Sequence, residues 1–139
     1  MIILDTNVIS EAMLPMPNGK VRRWLSAQPS QQMFTTTVSL AEILFGLEIL
    51  PLGKRRAGLS ATAETMFTTL FAQRILAFDG PAARAFPPIA AGRRLRGRPV
   101  SVLDAQIAAI AKAHGAALAT RNTADFERCG IRLVNPWLD

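Results

Sequence analysis

Met1-Ile2-Ile3-Leu4-Asp5-Thr6-Asn7-Val8-Ile9-Ser10-Glu11 opens the chain, and its reading decides the fold. The unbroken apolar run Ile2-Ile3-Leu4 has the pattern of a strand covered on both faces, and it stops abruptly at Asp5. Thr6 and Asn7 follow at once and suit a tight turn or a helix N-cap. In an open α/β sheet, ligands bind in the crevice outside the carboxyl ends of the strands. Asp5 is therefore either a helix cap or a functional acid, and the choice turns on whether other acids reach the same edge.

Working outward, Pro15, Pro17 and Asn18-Gly19 break any helix begun at Asn7, and Lys20 to Ala27 has the pattern of a short helix with Trp24 in the core. Met33 to Val38 is β-prone. Ser39 is expected to cap a helix from Leu40 to Leu50 that packs Leu40, Ile43, Leu44, Leu47 and Leu50 inward and carries Glu42 in its first turn. Glu42 there suits the helix dipole, yet it follows the second strand as Asp5 follows the first. A helix from Ala57 to Phe71, with Ala61, Met66 and Leu70 available for packing, leads to a third strand at Ile75-Leu76-Ala77-Phe78. Asp79 reads as an N-cap before Pro81, and Pro87-Pro88 should kink or restart the helix that follows.

Arg93-Arg94-Leu95-Arg96-Gly97-Arg98 is the densest positive stretch, either a solvated loop or a track for phosphates. Ser101 caps a helix from Val102 to His114 whose composition implies deep burial, so a charged Asp104 in its first turn is costly unless paired or bound to a metal. Ala116 to Ala119 and Ile131 to Val134 supply two more strands, and Asp125 lies in the polar turn after the first of them. Alternating apolar strands and amphipathic connections predict a three-layer α/β sandwich with a mainly parallel sheet.

The 139 residues, half of them hydrophobic, suit one domain spanning 1–139. One Cys and one His allow neither an internal disulfide nor a zinc-ligand set. No secretory leader or membrane span is evident, so a soluble, cytoplasmic protein is expected. Sixteen Lys and Arg against ten Asp and Glu, a net charge of +6, favour a polyanionic partner such as nucleic acid. Four acids near strand ends, Asp5, Glu42, Asp104 and Asp125, would repel one another unless a divalent cation joined them, and oxygen ligands select Mg²⁺ or Mn²⁺. The matching chemistry is phosphodiester hydrolysis. Neither a nucleophilic triad nor a phosphate-binding GxxxxGK[ST] loop is present to compete.

Four segments carry a family resemblance: Ile3-Leu4-Asp5-Thr6-Asn7; Ser39-Leu40-Ala41-Glu42-Ile43 with Gly46; Leu103-Asp104-Ala105-Gln106-Ile107-Ala108-Ala109; and Thr120-Arg121-Asn122-Thr123-Ala124-Asp125-Phe126. In that order and spacing the chain resembles the PIN-domain family, and within it the VapC-type toxins of bacterial toxin–antitoxin pairs, including the FitB-like branch. The resemblance runs nearly end to end. It implies a parallel sheet of order 3-2-1-4-5, a Mg²⁺-dependent endoribonuclease, a homodimer and a neutralising antitoxin. It also implies that Asp5, Glu42 and Asp104 are metal ligands, with Thr6, Asn7 and Thr120 orienting the carboxylates, although Thr120 would serve equally as a turn former.

The fourth acidic position is open between Asn122 and Asp125, because related sequences carry a carboxylate at one slot or the other. Arg93, Arg94, Arg96 and Arg98 are the candidate RNA contacts. Two other functions share these features: a DNA-directed metal nuclease, and a non-catalytic module acting with a DNA-binding antitoxin.

Overall fold

The computed structural model describes all 139 residues. Five short strands, β1 (Ile2–Leu4), β2 (Met33–Thr36), β3 (Ile75–Leu76), β4 (Ala117–Ala119) and β5 (Leu133–Val134), form one sheet of order β3-β2-β1-β4-β5. Every pairing is parallel, with Ile2 opposite both Met33 and Ala117. Six helices connect them: α1 (Thr6–Ala12), α2 (Gly19–Ala27), α3 (Thr37–Glu48), α4 (Lys54–Thr65), α5 (Gly80–Leu95) and α6 (Val102–His114).

The central strand is buried on both faces because successive side chains alternate across it. Ile2 and Leu4 join Val8, Ile9, Ile43 and Phe71 in one apolar cluster. Ile3 joins Ile89, Ile107, Ile110, Leu118 and Phe126 in the other. These two clusters make the sandwich three-layered, as the alternation of elements predicts. No helix is long and apolar enough to cross a membrane.

From β1 the chain turns to one side of the sheet, and β4 lies on the other, so the point where the strand order reverses falls between these two neighbours. That reversal opens a crevice outside the carboxyl ends of the strands. Asp5 follows β1 and lines that crevice, and Thr120 follows β4 and is buried beside Asp5.

Several local expectations need correction. Thr36, not Ser39, caps α3: its backbone is extended, and its hydroxyl accepts from the Ser39 N–H at 3.0 Å. The helix therefore starts directly from β2, and Glu42 stands in its second turn rather than its first. Leu44 and Ala61 are exposed. Ile43 and Leu47 pack inward as expected, and Ala63 rather than Ala61 is the buried alanine of α4. α4 ends at Thr65, and Met66–Leu70 forms a single wider π-type turn.

α5 runs unbroken through Pro87 and Pro88. The two carbonyls those prolines leave without a helical donor belong to Ala83 and Arg84, which are exposed residues. Replacing Thr36 by Ala should cost about 1 kcal/mol, the usual loss for a helix cap. Urea unfolding of the variant would measure it, and an unchanged midpoint would show that the cap is dispensable.

Candidate active site

Asp5 is the N-cap of α1, and its carboxylate is the most constrained polar group at the sheet edge. One oxygen accepts from the Thr6 N–H at 2.8 Å, and the other accepts from the Thr120 hydroxyl at 2.7 Å and from the Asn7 amide at 3.3 Å. Thr120 also accepts from the Asn122 N–H at 3.1 Å, while Asn7 Oδ1 accepts from the Arg121 N–H at 3.1 Å. The ends of β1 and β4 are thereby tied through side chains as well as through the sheet.

Glu42 joins from α3. The Thr6 hydroxyl donates to Glu42 Oε1 at 2.7 Å. It also lies 3.0 Å from Ser39 Oγ; with its one proton given to Glu42, it accepts from Ser39. The N-cap at Thr36 leaves the Ser39 hydroxyl free for this contact. Asp104 comes from the first turn of α6, where the Ser101 hydroxyl accepts its N–H at 3.1 Å.

Asp5, Glu42 and Asp104 line one crevice of about 450 Å³ together with Thr6, Asn7 and Asn122. Asp125 lies outside that lining, exposed on the short 3₁₀ turn Thr123–Phe126, although its charge is felt at Asp104. Phe126 beside it is buried in the core. Of the two fourth-position candidates, the crevice lining thus includes Asn122 and not Asp125.

The electrostatics are those of an uncompensated acid cluster. Burial, opposed by the hydrogen bonds from Thr120 and Thr6 and reinforced by the charges of Asp104 and Glu42, pushes the Asp5 carboxyl up to about 6. Asp104 is raised for the same first reason, burial, with Ser101 opposing and Asp125 and Glu42 adding to the rise. The ion pairs present are Arg56–Glu48 and Arg98–Glu127, and neither touches the crevice acids.

These oxygens fit a hard divalent cation in charge and in chemical type. No three of the acids converge closely enough to grip an ion directly between them. A cation held here would have one or two direct carboxylates and complete its shell with water. The soft-ligand alternatives lie elsewhere: Cys129 is buried with its thiol pushed up by burial, and His114 is exposed at the far end of α6.

The arginine stretch divides. Arg93 is not available to phosphates as expected: it is buried, and its guanidinium donates to the carbonyls of Glu127 at 2.8 Å and Ala124 at 3.3 Å. It thus pins the turn that carries Asp125. Arg94, Arg96 and Arg98 are exposed, and Arg98 lies 3.7 Å from Glu127.

Five crevice residues were not singled out from the sequence: Ser10, Glu11, Leu14, Arg121 and Trp137. Glu11 lines the wall and accepts from the Asn18 N–H at 2.8 Å, while Arg121 and Trp137 form the rim. Ser10 and Glu11 share the opening motif and Arg121 the last one, whereas Leu14 and Trp137 left no signal.

An acid crevice at the strand-order reversal of an all-parallel 3-2-1-4-5 sheet defines a class of small α/β proteins with carboxylates gathered at the sheet edge. The PIN domain model matches residues 2–131, and the chain belongs to that family. It is similar to the VapC ribonuclease Y4jK of Sinorhizobium fredii, 39% identical over 137 residues that cover 99% of this chain and 98% of the relative. It is also similar to the toxin FitB of Neisseria gonorrhoeae, 37% identical over the whole of both chains. The crystal structure of FitAcB from Neisseria gonorrhoeae superposes with a TM-score of 0.92 at 37% identity, covering 100% of both chains.

The raised Asp5 carboxyl makes a prediction of definite sign. Below about pH 3.8 the group is protonated in folded and unfolded chains alike; between there and its folded value of about 6 the unfolded chain ionises first, which disfavours folding. The penalty is complete above that range and is worth about 3 kcal/mol. In EDTA, the stability of Asp5→Asn relative to wild type should therefore rise between about pH 4 and about pH 7 by that order. Urea titrations showing a flat difference would contradict burial as the cause of the shift.

Proposed function

We propose that this chain is a Mg²⁺- or Mn²⁺-dependent endoribonuclease acting as the toxin of a type II toxin–antitoxin pair. The observation that carries the proposal is that Asp5, Glu42 and Asp104 line one crevice and none of them forms a salt bridge with a side-chain cation. Family membership and the likeness to a VapC ribonuclease and a FitB toxin support it.

In this reading Asp5, Glu42 and Asp104 hold the ion, directly or through water. When bound, the ion polarises a phosphoryl oxygen and makes water a competent nucleophile near neutral pH. The protein's part is preorganisation. The Thr6 N–H, Asn7 and Thr120 fix both oxygens of Asp5, the Thr6 hydroxyl fixes Glu42, and Ser101 fixes the start of the helix that carries Asp104. A carboxylate held at both oxygens loses little freedom on binding, which is how orienting partners raise affinity.

Asp125, pinned by Arg93, adds negative charge beside Asp104 without entering the crevice. The reaction exchanges one P–O ester bond for a new P–O bond to the water oxygen, and the departing sugar oxygen takes up a proton.

The partners in this proposal are RNA, a neutralising antitoxin and a second copy of the chain, in a cytoplasmic setting. Phe45 on α3 and Leu103 on α6 are exposed and line one apolar groove, which would serve that second copy.

Asp104→Asn should remove Mg²⁺-dependent cleavage of a fluorogenic single-stranded RNA while leaving the fold intact. Asp125→Asn should lower activity and Mn²⁺ affinity by about 10–100-fold, the range for partners that act through a metal ligand, and Asn122→Ala should cost less. Cleavage by Asp104→Asn at the wild-type rate would sink the assigned acids. The reverse order of the other two variants would transfer the fourth position to Asn122.

A further inference from the structure

Arg121 is the one basic residue lining the acid crevice, yet it pairs with none of its acids. Its guanidinium carbon lies 5.2 Å from the centroid of the Trp137 ring, a cation–π contact. The pair is held from both ends. The Arg121 N–H donates to Asn7 Oδ1 at 3.1 Å, its carbonyl accepts from the Asn135 amide at 3.5 Å, and Asn135 Oδ1 accepts from the Trp137 N–H at 2.9 Å. Trp137 in turn packs against the apolar cluster beneath the sheet.

A long, exposed arginine next to several carboxylates would ordinarily turn toward them. Here the aromatic ring attracts the guanidinium and keeps it on the rim, leaving N–H groups available to an incoming anion.

We infer that Arg121 is the seat for a backbone phosphate of the single-stranded RNA substrate, and that Trp137 is a positioning residue that holds it there. The inference rests on the ribonuclease reading above and deepens it by naming where the strand enters. A polyanion approaching a crevice lined by Asp5, Glu11, Glu42 and Asp104 meets net repulsion, and a fixed cation on the rim offsets it next to the reacting centre. Planar guanidinium recognises phosphate through paired N–H donors, which makes the contact geometric as well as electrostatic. The contact is to backbone, so it favours no base.

The test is fluorescence anisotropy of a labelled single-stranded RNA oligonucleotide, with Asp104→Asn as the common background and Mg²⁺ present, so that binding is read without turnover. Adding Arg121→Ala should weaken binding about tenfold and reduce the salt slope by about 0.7, the loss of one phosphate contact on a single strand. Arg132→Ala, which removes a charge near the amino ends of the strands, should change neither. Trp137→Leu should weaken binding several-fold, and Trp137→Phe should restore most of it because a ring is again present. A lack of rescue would reduce Trp137 to a packing role and overturn its part of the inference.

RNA binding by the background protein with an unchanged affinity and slope in Arg121→Ala would overturn this inference alone. No saturable RNA binding by the wild type or the background protein would overturn it together with the ribonuclease reading.

Discussion

A buried carboxylate with no cation of its own is the constraint on which this molecule depends. Asp5 stands at the end of the central strand, hidden from solvent, with both oxygens engaged by hydrogen bonds and two further acids facing the same space. Burying such a group is unfavourable unless it is neutralised or paired. The protein does neither with its own side chains. It supplies donors enough to orient the carboxylate and gives it no ion-pair partner, so the crevice carries electrostatic strain, which the proposed cation would relieve.

The topology makes that arrangement possible. Because β1 and β4 are neighbours running in parallel, the residues that follow them, Asp5 and Thr120, meet across a short gap and share a hydrogen bond of 2.7 Å. Direct passage from β2 into α3 brings Thr36, Ser39 and Glu42 toward Thr6. The opposite layer contributes α6 and with it Asp104, while Arg93 on α5 anchors the turn bearing Asp125. Each acid thus arrives on a different element, and the rigid sheet fixes their common edge. Such sites tolerate the loss of peripheral contacts better than the loss of an acid, because the scaffold and the charge are supplied separately.

The sheet and the principal acids were legible because each acid marks the end of an apolar run or the first polar break in a buried helix. Ile2-Ile3-Leu4 before Asp5, and Ser101 three residues before Asp104, are patterns with a direct physical meaning. Finer features were hidden by their dependence on tertiary contacts. Thr36 and Ser39 are both good caps, and what separates them is the partner that Ser39 finds in Thr6. Four arginines in six residues look alike in sequence, but only Arg93 turns inward, toward carbonyls more than thirty positions away. Pro87 and Pro88 read as breakers, yet the residues whose carbonyls they orphan are exposed and the helix continues. Arg121 and Trp137 are sixteen residues apart, with a strand between them, and no spacing rule joins them.

The most direct test of the account is calorimetric titration of the metal-free protein with Mn²⁺ at about pH 6 and about pH 8, in buffers of different ionisation enthalpy. With the Asp5 carboxyl near 6, ion binding at the lower pH should be saturable and should expel a substantial fraction of a proton, whereas at the higher pH the release should nearly vanish. Absence of a saturable site, or a heat at the lower pH that is independent of the buffer, would contradict the claim that the fold holds a buried acid in wait for a cation.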